Sequence, residues 1–160
     1  MPAASDARRP GPVTLPARFR PFGVRYAGWI FGLALLVVLV VVWLTLPAEA
    51  QDAFTPLQRA TVVAMFVAGA VIAHALGRCR VDADEHGLRV VNGYRTHTLT
   101  WPQVVAVRMA PGNPWATLDL ADGTSVSAMG IQGSDGQRAR RHVKELRALI
   151  EAHAGREPRP

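Results

Sequence analysis

An uncharged run of 20 residues, Ala27 to Leu46 (AGWIFGLALLVVLVVVWLTL), constrains this chain more than any other feature. As a helix rising about 1.5 Å per residue it covers roughly 30 Å, the hydrocarbon thickness of a bilayer. In water it would expose apolar surface on every side, and a chain of 160 residues has no room for a core that could surround it. Tyr26, Trp29 and Trp43 stand near its ends, where aromatic rings favour the headgroup boundary. A polar link, Pro47 to Arg59, leads to a second apolar run, Ala60 to Leu76. This run is at the short end for a span, and Leu57 with the stems of Arg59 and Arg78 would extend it. Gly28-x-x-x-Gly32 and Gly69-x-x-x-Ala73 give each run a small-residue surface, so Gly28, Gly32, Gly69 and Ala73 are the candidate helix–helix contacts. Together these features predict a two-helix transmembrane hairpin over residues 25–77.

Residues 1–24 contain five prolines and no amphipathic period, and read as a disordered, basic, Pro-rich arm. The arm and its junction carry Arg8, Arg9, Arg18, Arg20 and Arg25 against Asp6 alone; the link between the runs has one arginine, and Arg78 and Arg80 follow the second run. Basic residues stay on the cytoplasmic side, so the expectation is a multi-pass protein of the inner (plasma) membrane with both termini cytoplasmic. The alternative is a signal peptide with Ala48-Glu49-Ala50 as its cleavage site; the long apolar run and the long arm before it argue against that.

From Arg78 the chain reads as a soluble domain, residues 78–155, with a loose tail at 156–160. Six short strands are expected: 80–84, 88–92, 95–101, 104–109, 115–120 and 124–129. Asn92-Gly93, Pro111-Gly112-Asn113-Pro114 and Asp122-Gly123 are turn signals between them. In the fourth strand Val105, Val107 and Met109 are expected to face one way. Ser134-x-x-Gln137 resembles a capping box. The following helix puts Ala139, Val143, Leu146 and Ile150 on one stripe, widened by Leu149, which must cover an open end or face of the sheet.

Composition excludes several function classes. The net charge is +6, but the basic residues are nearly all arginine and much of the charge lies in the Pro-rich arm, so no nucleic-acid partner is expected. Cys79 is the one cysteine, which rules out an internal disulfide and gives no Cys pair for a metal. The five histidines include no i, i+4 pair with a carboxylate, and Asp82, Asp84 and Glu85 are too few and too close for a calcium site. There is no Gly-x-Ser-x-Gly, phosphate loop or dinucleotide fingerprint. No cofactor, metal site or catalytic residue is therefore expected.

The order of elements, a curled antiparallel sheet followed by one amphipathic helix, is that of pleckstrin-homology-like domains. The stretches VDADEHGLRVVNGYRTHTLTWPQVVAVR, NPWATLDLADGTSV and SDGQRARRHVKELRALI resemble the membrane-anchored bacterial PH domain proteins, especially the family that includes the low molecular weight protein antigen 6 proteins. The resemblance spans roughly residues 25–152 and rests on Asp84-x-x-Gly87-Leu88, Asn92-Gly93, Leu99-x-Trp101 and Pro114-Trp115-Ala116. It implies two membrane helices followed by a small PH-like antiparallel β-barrel or sandwich, capped by a C-terminal α-helix. PH-like folds have seven strands where the residues above give six.

Two surfaces remain as candidates for contact with a partner or the membrane. One is Trp115, which follows Asn-Pro at a turn. The other is the basic set Arg138, Arg140, Arg141, Lys144 and Arg147 on the last helix, away from its apolar stripe. The expected function is a non-catalytic protein-interaction or scaffold module in the lipid bilayer, with an unknown membrane or cytoplasmic protein, or a second copy of the chain, as partner. The alternative is a subunit of an oligomeric transporter or channel assembly in which the helices are the working part.

Overall fold

The computed structural model describes residues 14–21 and 23–154. Residues 1–13 of the expected arm and the expected tail at 156–160 lie outside them. The element order is β1 (Ala17–Phe19), α1 (Gly23–Thr45), α2 (Ala48–Asp52), α3 (Pro56–Arg78), β2 (Arg80–Ala83), β3 (Gly87–Asn92), β4 (Arg95–Thr100), β5 (Val104–Arg108), β6 (Trp115–Leu120), β7 (Ser125–Gln132) and α4 (Gln137–Ala154), with 3-10 turns at Trp101–Gln103 and Gly133–Asp135.

The two apolar runs form α1 and α3, each 23 residues long and each long and apolar enough to cross a membrane. The exposure of Ile30, Phe31, Leu44, Val63 and Met65 shows that no protein core covers them. Gly28 and Ala73 meet, since a Cβ on Gly28 would lie 3.8 Å from that of Ala73; Gly32 and Gly69 have nothing within 4 Å. The far end of the hairpin is tied off by α2. There Gln51 Nε2 donates to the carbonyls of Trp43 (3.0 Å) and Leu46 (3.1 Å), and the Arg59 guanidinium sits 5.1 Å from the Trp43 ring centroid. Ala48-Glu49-Ala50 lies inside this short helix. Thr55 and Gln58 form a reciprocal capping box at the start of α3, satisfying donors that a helix start leaves free.

The arm reading fails at Ala17–Phe19. These residues form β1, which pairs antiparallel with β2 (Ala17 with Ala83, Phe19 with Val81), and Phe19 is buried in the core. A three-residue strand among prolines has no local signal; the burial of Phe19 and the Arg18–Asp82 ion pair (2.5 Å) hold it. It supplies the seventh strand. Both helices are thus an insertion between the first and second strands of one domain.

That domain is two sheets, β1-β2-β3-β4 and β5-β6-β7, all antiparallel, and not a closed barrel. The six strands expected from alternation are present. Val105 is the exception to the expected face: a bulge between Val104 and Ala106 turns Val104 inward and leaves Val105 exposed. Trp101 is buried as expected, but in a 3-10 turn rather than a strand; its indole N–H donates to the Asp84 carbonyl (3.1 Å) and its ring stacks on His153. The expected cap at Ser134 is replaced by a 3-10 turn, with Gly136 at φ 56° immediately before α4.

The sheets meet along β2, β3 and β7. Asn92 joins them: its Nδ2 donates to the Ser127 carbonyl (2.6 Å) and its Oδ1 accepts the Met129 N–H (3.1 Å). The stripe of α4 closes the core, with Ala139, Val143, Leu146, Leu149 and Ile150 all buried. At the edge of this stripe His142 meets the Phe19 ring edge-on at 5.2 Å, so α4 also clamps β1. Burial pushes the His142 imidazole below its ordinary value of 6.5; Glu145 and Asp135 oppose that push, and Arg138 and Arg141 add to it. The neutral ring is therefore the native form, and its stabilising effect is complete above pH 6.5 and lost as pH falls through the depressed value. We expect the melting temperature of the detergent-solubilised chain to fall between pH 7.5 and 5, and His142→Gln to remove part of that slope. An unchanged slope would show that protonation of this ring does not loosen the clamp.

Candidate functional site

The β5–β6 turn and the first turns of α4 face each other across an open cleft of about 670 Å³. One wall is the turn Met109 to Pro114. The Asn113 N–H donates to the Ala110 carbonyl (3.1 Å), and Gly112 adopts φ 86°, a conformation that glycine tolerates best. The floor is tied to this wall, since the Gly133 N–H donates to the Pro114 carbonyl at 2.9 Å. A Cβ at 133 would lie 2.7 Å from the Asn113 carbonyl oxygen, so this close approach requires glycine. The other wall is α4, from which Arg140, Lys144 and Arg147 line the cleft at i, i+4 and i+7.

The cleft is electrostatically one-sided. Its lining contains two arginines and a lysine and no carboxylate. Arg140 and Lys144 make no ion pair with any described residue, and Arg147 only reaches the Val107 carbonyl at 3.4 Å. Two carboxylates of the domain hold ion pairs away from the cleft. Asp82 takes Arg18 and Arg80, and Asp119 takes Arg108 (2.5 Å), whose guanidinium is held further above its usual range by that carboxylate. The lower lining is apolar, with Val143 buried and Met109 half-buried.

The expected basic set is therefore divided. Arg140, Lys144 and Arg147 converge, while Arg138 and Arg141 are exposed on α4 outside the cleft. Trp115 is half-buried at the start of β6, beside the cleft residue Pro114, and pairs with Gln132. Sequence reasoning identified the basic stripe but not its opposite wall; the Pro-Gly-Asn-Pro turn was the available signal. Among the described residues no group of His, Cys, Asp and Glu could hold a metal ion.

A second cluster fixes the domain against the bases of the apolar helices. The Gly93 N–H donates to Cys79 Sγ (3.2 Å), and burial raises the Cys79 thiol pKa, which keeps it protonated and unreactive. Tyr94 stacks on His74 and lies under the Arg78 guanidinium (5.4 Å). On the α1 side the Gly23 N–H donates to Asp135 Oδ1 (3.1 Å). Asp135 lies between the cleft residues Ser134 and Gly136, so the cleft is adjacent to the foot of α1.

Comparison with known proteins agrees with the resemblance read from the strand and turn residues. Residues 78–149 match the bacterial PH domain family, and a bacterial PH domain is present there. β1 lies outside that match. Two relatives, an uncharacterized protein of Mycobacterium tuberculosis and an uncharacterized protein of Mycobacterium bovis, are each 34% identical to this chain over 96 residues. The aligned part is 58% of this chain and 62% of each relative, so less than two thirds of the relatives' length is covered. No solved structure gave a significant match.

Proposed function

We propose that this chain, a bacterial PH domain with two apolar helices inserted after its first strand, is an integral membrane protein whose domain acts as a non-catalytic interaction module on the cytoplasmic face. The observation that carries this reading is the pairing of β1 with β2. It brings the strand that precedes α1 and the strand that follows α3 into one sheet, so the helices leave and return on the same side. The apolar surface of both helices needs lipid, and the arginines at their domain ends argue for the cytoplasmic side. The contacts at Gly93, Tyr94 and Asp135 hold the domain in one orientation at the surface, as a docking module requires. Trp115 and the basic face of α4 are the residues we assign to partner contact.

Cysteine labelling in intact cells tests the topology. Cys79 is buried and serves as the unlabelled background. Ala53→Cys, in the exposed link, is expected to react with a membrane-impermeant maleimide added outside. Asp122→Cys, in an exposed turn of the domain, should react only after permeabilisation. The reverse pattern would invert the protein in the membrane and remove the cytoplasmic module.

A further inference from the structure

We propose that the free edge of β4 receives an extended, acidic segment of another polypeptide as an added antiparallel strand. This seat is separate from Trp115 and the basic face of α4, and it stands whether or not the helices lie in a membrane.

The backbone supplies the seat. Among the described strands β4 ends its sheet, with β3 as its neighbour. A two-residue turn, Gly93-Tyr94, joins the two strands, and Asn92 pairs with Arg95 across it. Such a turn closes on a hydrogen-bonded pair, and bonded pairs alternate along an antiparallel ladder. Arg95, His97 and Leu99 therefore bond β3, while Thr96, Thr98 and Thr100 turn their N–H and C=O groups to the free edge. The Thr100 N–H donates to Gln103 Oε1 at 2.8 Å. No described residue takes the backbone groups of Thr96 and Thr98. The other sheet ends differ: β1 is three residues long, β5 is bulged and packed by α4, and β7 lies on β2 and β3. An open edge of this length is a template for a further strand.

Side chains select the occupant. A shallow cavity of about 340 Å³ runs over the outer face of β3 and β4, lined by Arg89, Thr96, Thr98 and Thr100 with Asp84 at its far end. It can take alternate side chains of an added strand. Arg89 stands opposite Thr98, and Arg95 and His97 share the other face of β4. All three are exposed, and neither arginine makes an ion pair with a described residue. The nearby carboxylates, Asp84 and Glu85, belong to the β2–β3 turn at the Thr100 end, where Asp84 accepts the His86 and Gly87 N–H groups. The edge is thus basic in its first half, and an antiparallel partner meets that half with acidic residues near its own C-terminal end. A second copy would bring the same arginines to the seam. The chain's own tails are basic, with Arg8 and Arg9 against Asp6, and Arg156 and Arg159 against Glu157. An acidic segment of a different protein fits where these do not.

The full chain, labelled with nitrogen-15 at threonine, is held in a zwitterionic detergent. It is given an acidic probe peptide, Thr-Val-Thr-Val-Glu-Val-Glu-Val, or the same peptide with Lys in place of both Glu. With the acidic probe at millimolar concentration, amide exchange at Thr96 and Thr98 is expected to slow about tenfold or more, while Thr117 and Thr124 keep their rates. The lysine probe should bind about fivefold more weakly or less, and Arg89→Gln with Arg95→Gln should weaken the acidic probe about fivefold. Thr98→Pro removes an edge N–H that β3 does not use, at a position where an edge strand tolerates proline, and should abolish the slowing at Thr96. If that variant shifts the Thr117 and Thr124 resonances, the arginine pair alone decides. No slowing with the acidic probe, equal binding of both probes, or slowing that survives these variants would overturn the proposal. Slowing that appears without a probe as protein concentration rises would give the seat to a second copy and overturn it equally. Trp115→Ala with Arg140→Gln should leave the slowing intact; its loss there would move the probe to the contacts assigned above and empty the β4 edge.

Discussion

Removing β1 is expected to destabilise the PH domain by about 3–5 kcal/mol, although three helices separate β1 from the rest of that domain. Phe19 is buried among Val81, Leu88 and the α4 stripe, and truncating a buried Phe costs about 3–5 kcal/mol. Loss of the strand also uncovers the edge of β2, with its unpaired N–H and C=O groups. Against a typical stability of about 5–15 kcal/mol, that loss leaves little margin. The clear comparison is between two soluble fragments. Residues 78–154 alone contain everything matched by the bacterial PH domain family, and are expected to aggregate or to pair through the free β2 edge. Residues 14–21 joined by a short Gly/Ser linker to residues 79–154 restore the antiparallel pair and are expected to be monomeric with dispersed amide resonances. In the joined fragment, Phe19→Ala should lower the melting temperature by roughly 12–40 °C. Equal stability of the two fragments would mean that β1 is an accessory to the fold.

The sequence made some elements legible because their signals are local. The two apolar runs became α1 and α3, and the alternation around Asn92-Gly93 and Asp122-Gly123 became hairpins of the two sheets. The α4 stripe was legible residue by residue: all five expected positions are buried. What escaped notice depends on partners distant in sequence. β1 is three residues long, and its evidence is a partner 64 residues away, Asp82. Asn92 reads as a turn residue, yet its carboxamide bridges to Ser127 and Met129 of the other sheet. The same limit divided the candidate site. Helical spacing put Arg140, Lys144 and Arg147 on one line, but only the tertiary fold puts the Pro111–Pro114 turn opposite them and leaves Arg138 and Arg141 outside. Gly28 and Ala73 met because antiparallel helices bring those positions level, while Gly32 and Gly69, one turn further, remain uncovered.

Gly130→Ala is expected to damage the domain by driving one backbone into another. Gly130 lies within β7, where glycine ordinarily weakens a strand unless another backbone passes close by. Here one does: a Cβ at 130 would sit 2.6 Å from Arg80 Cα, 2.7 Å from its carbonyl carbon and 2.8 Å from Val81 N. No side-chain rotation relieves a clash with backbone. β2 must move, and it is held on its other side by β1 and β3. We expect a loss of about 3 kcal/mol, the upper end for overpacking, read as a lower denaturation midpoint in the joined fragment. The displacement also has a local reporter. Arg80 follows Cys79 directly, and Cys79 Sγ accepts the Gly93 N–H at the foot of α3. Shifting Arg80 breaks that contact and opens the thiol, so Gly130→Ala in the full chain should react with a thiol reagent faster than the parent. Gly69→Ala, where nothing lies within 4 Å, should leave both the thiol and the fold as they are. If Gly130→Ala keeps a protected thiol and parental stability, the two sheets are not in backbone contact at this seam, and the domain is not braced against the apolar helices through β2.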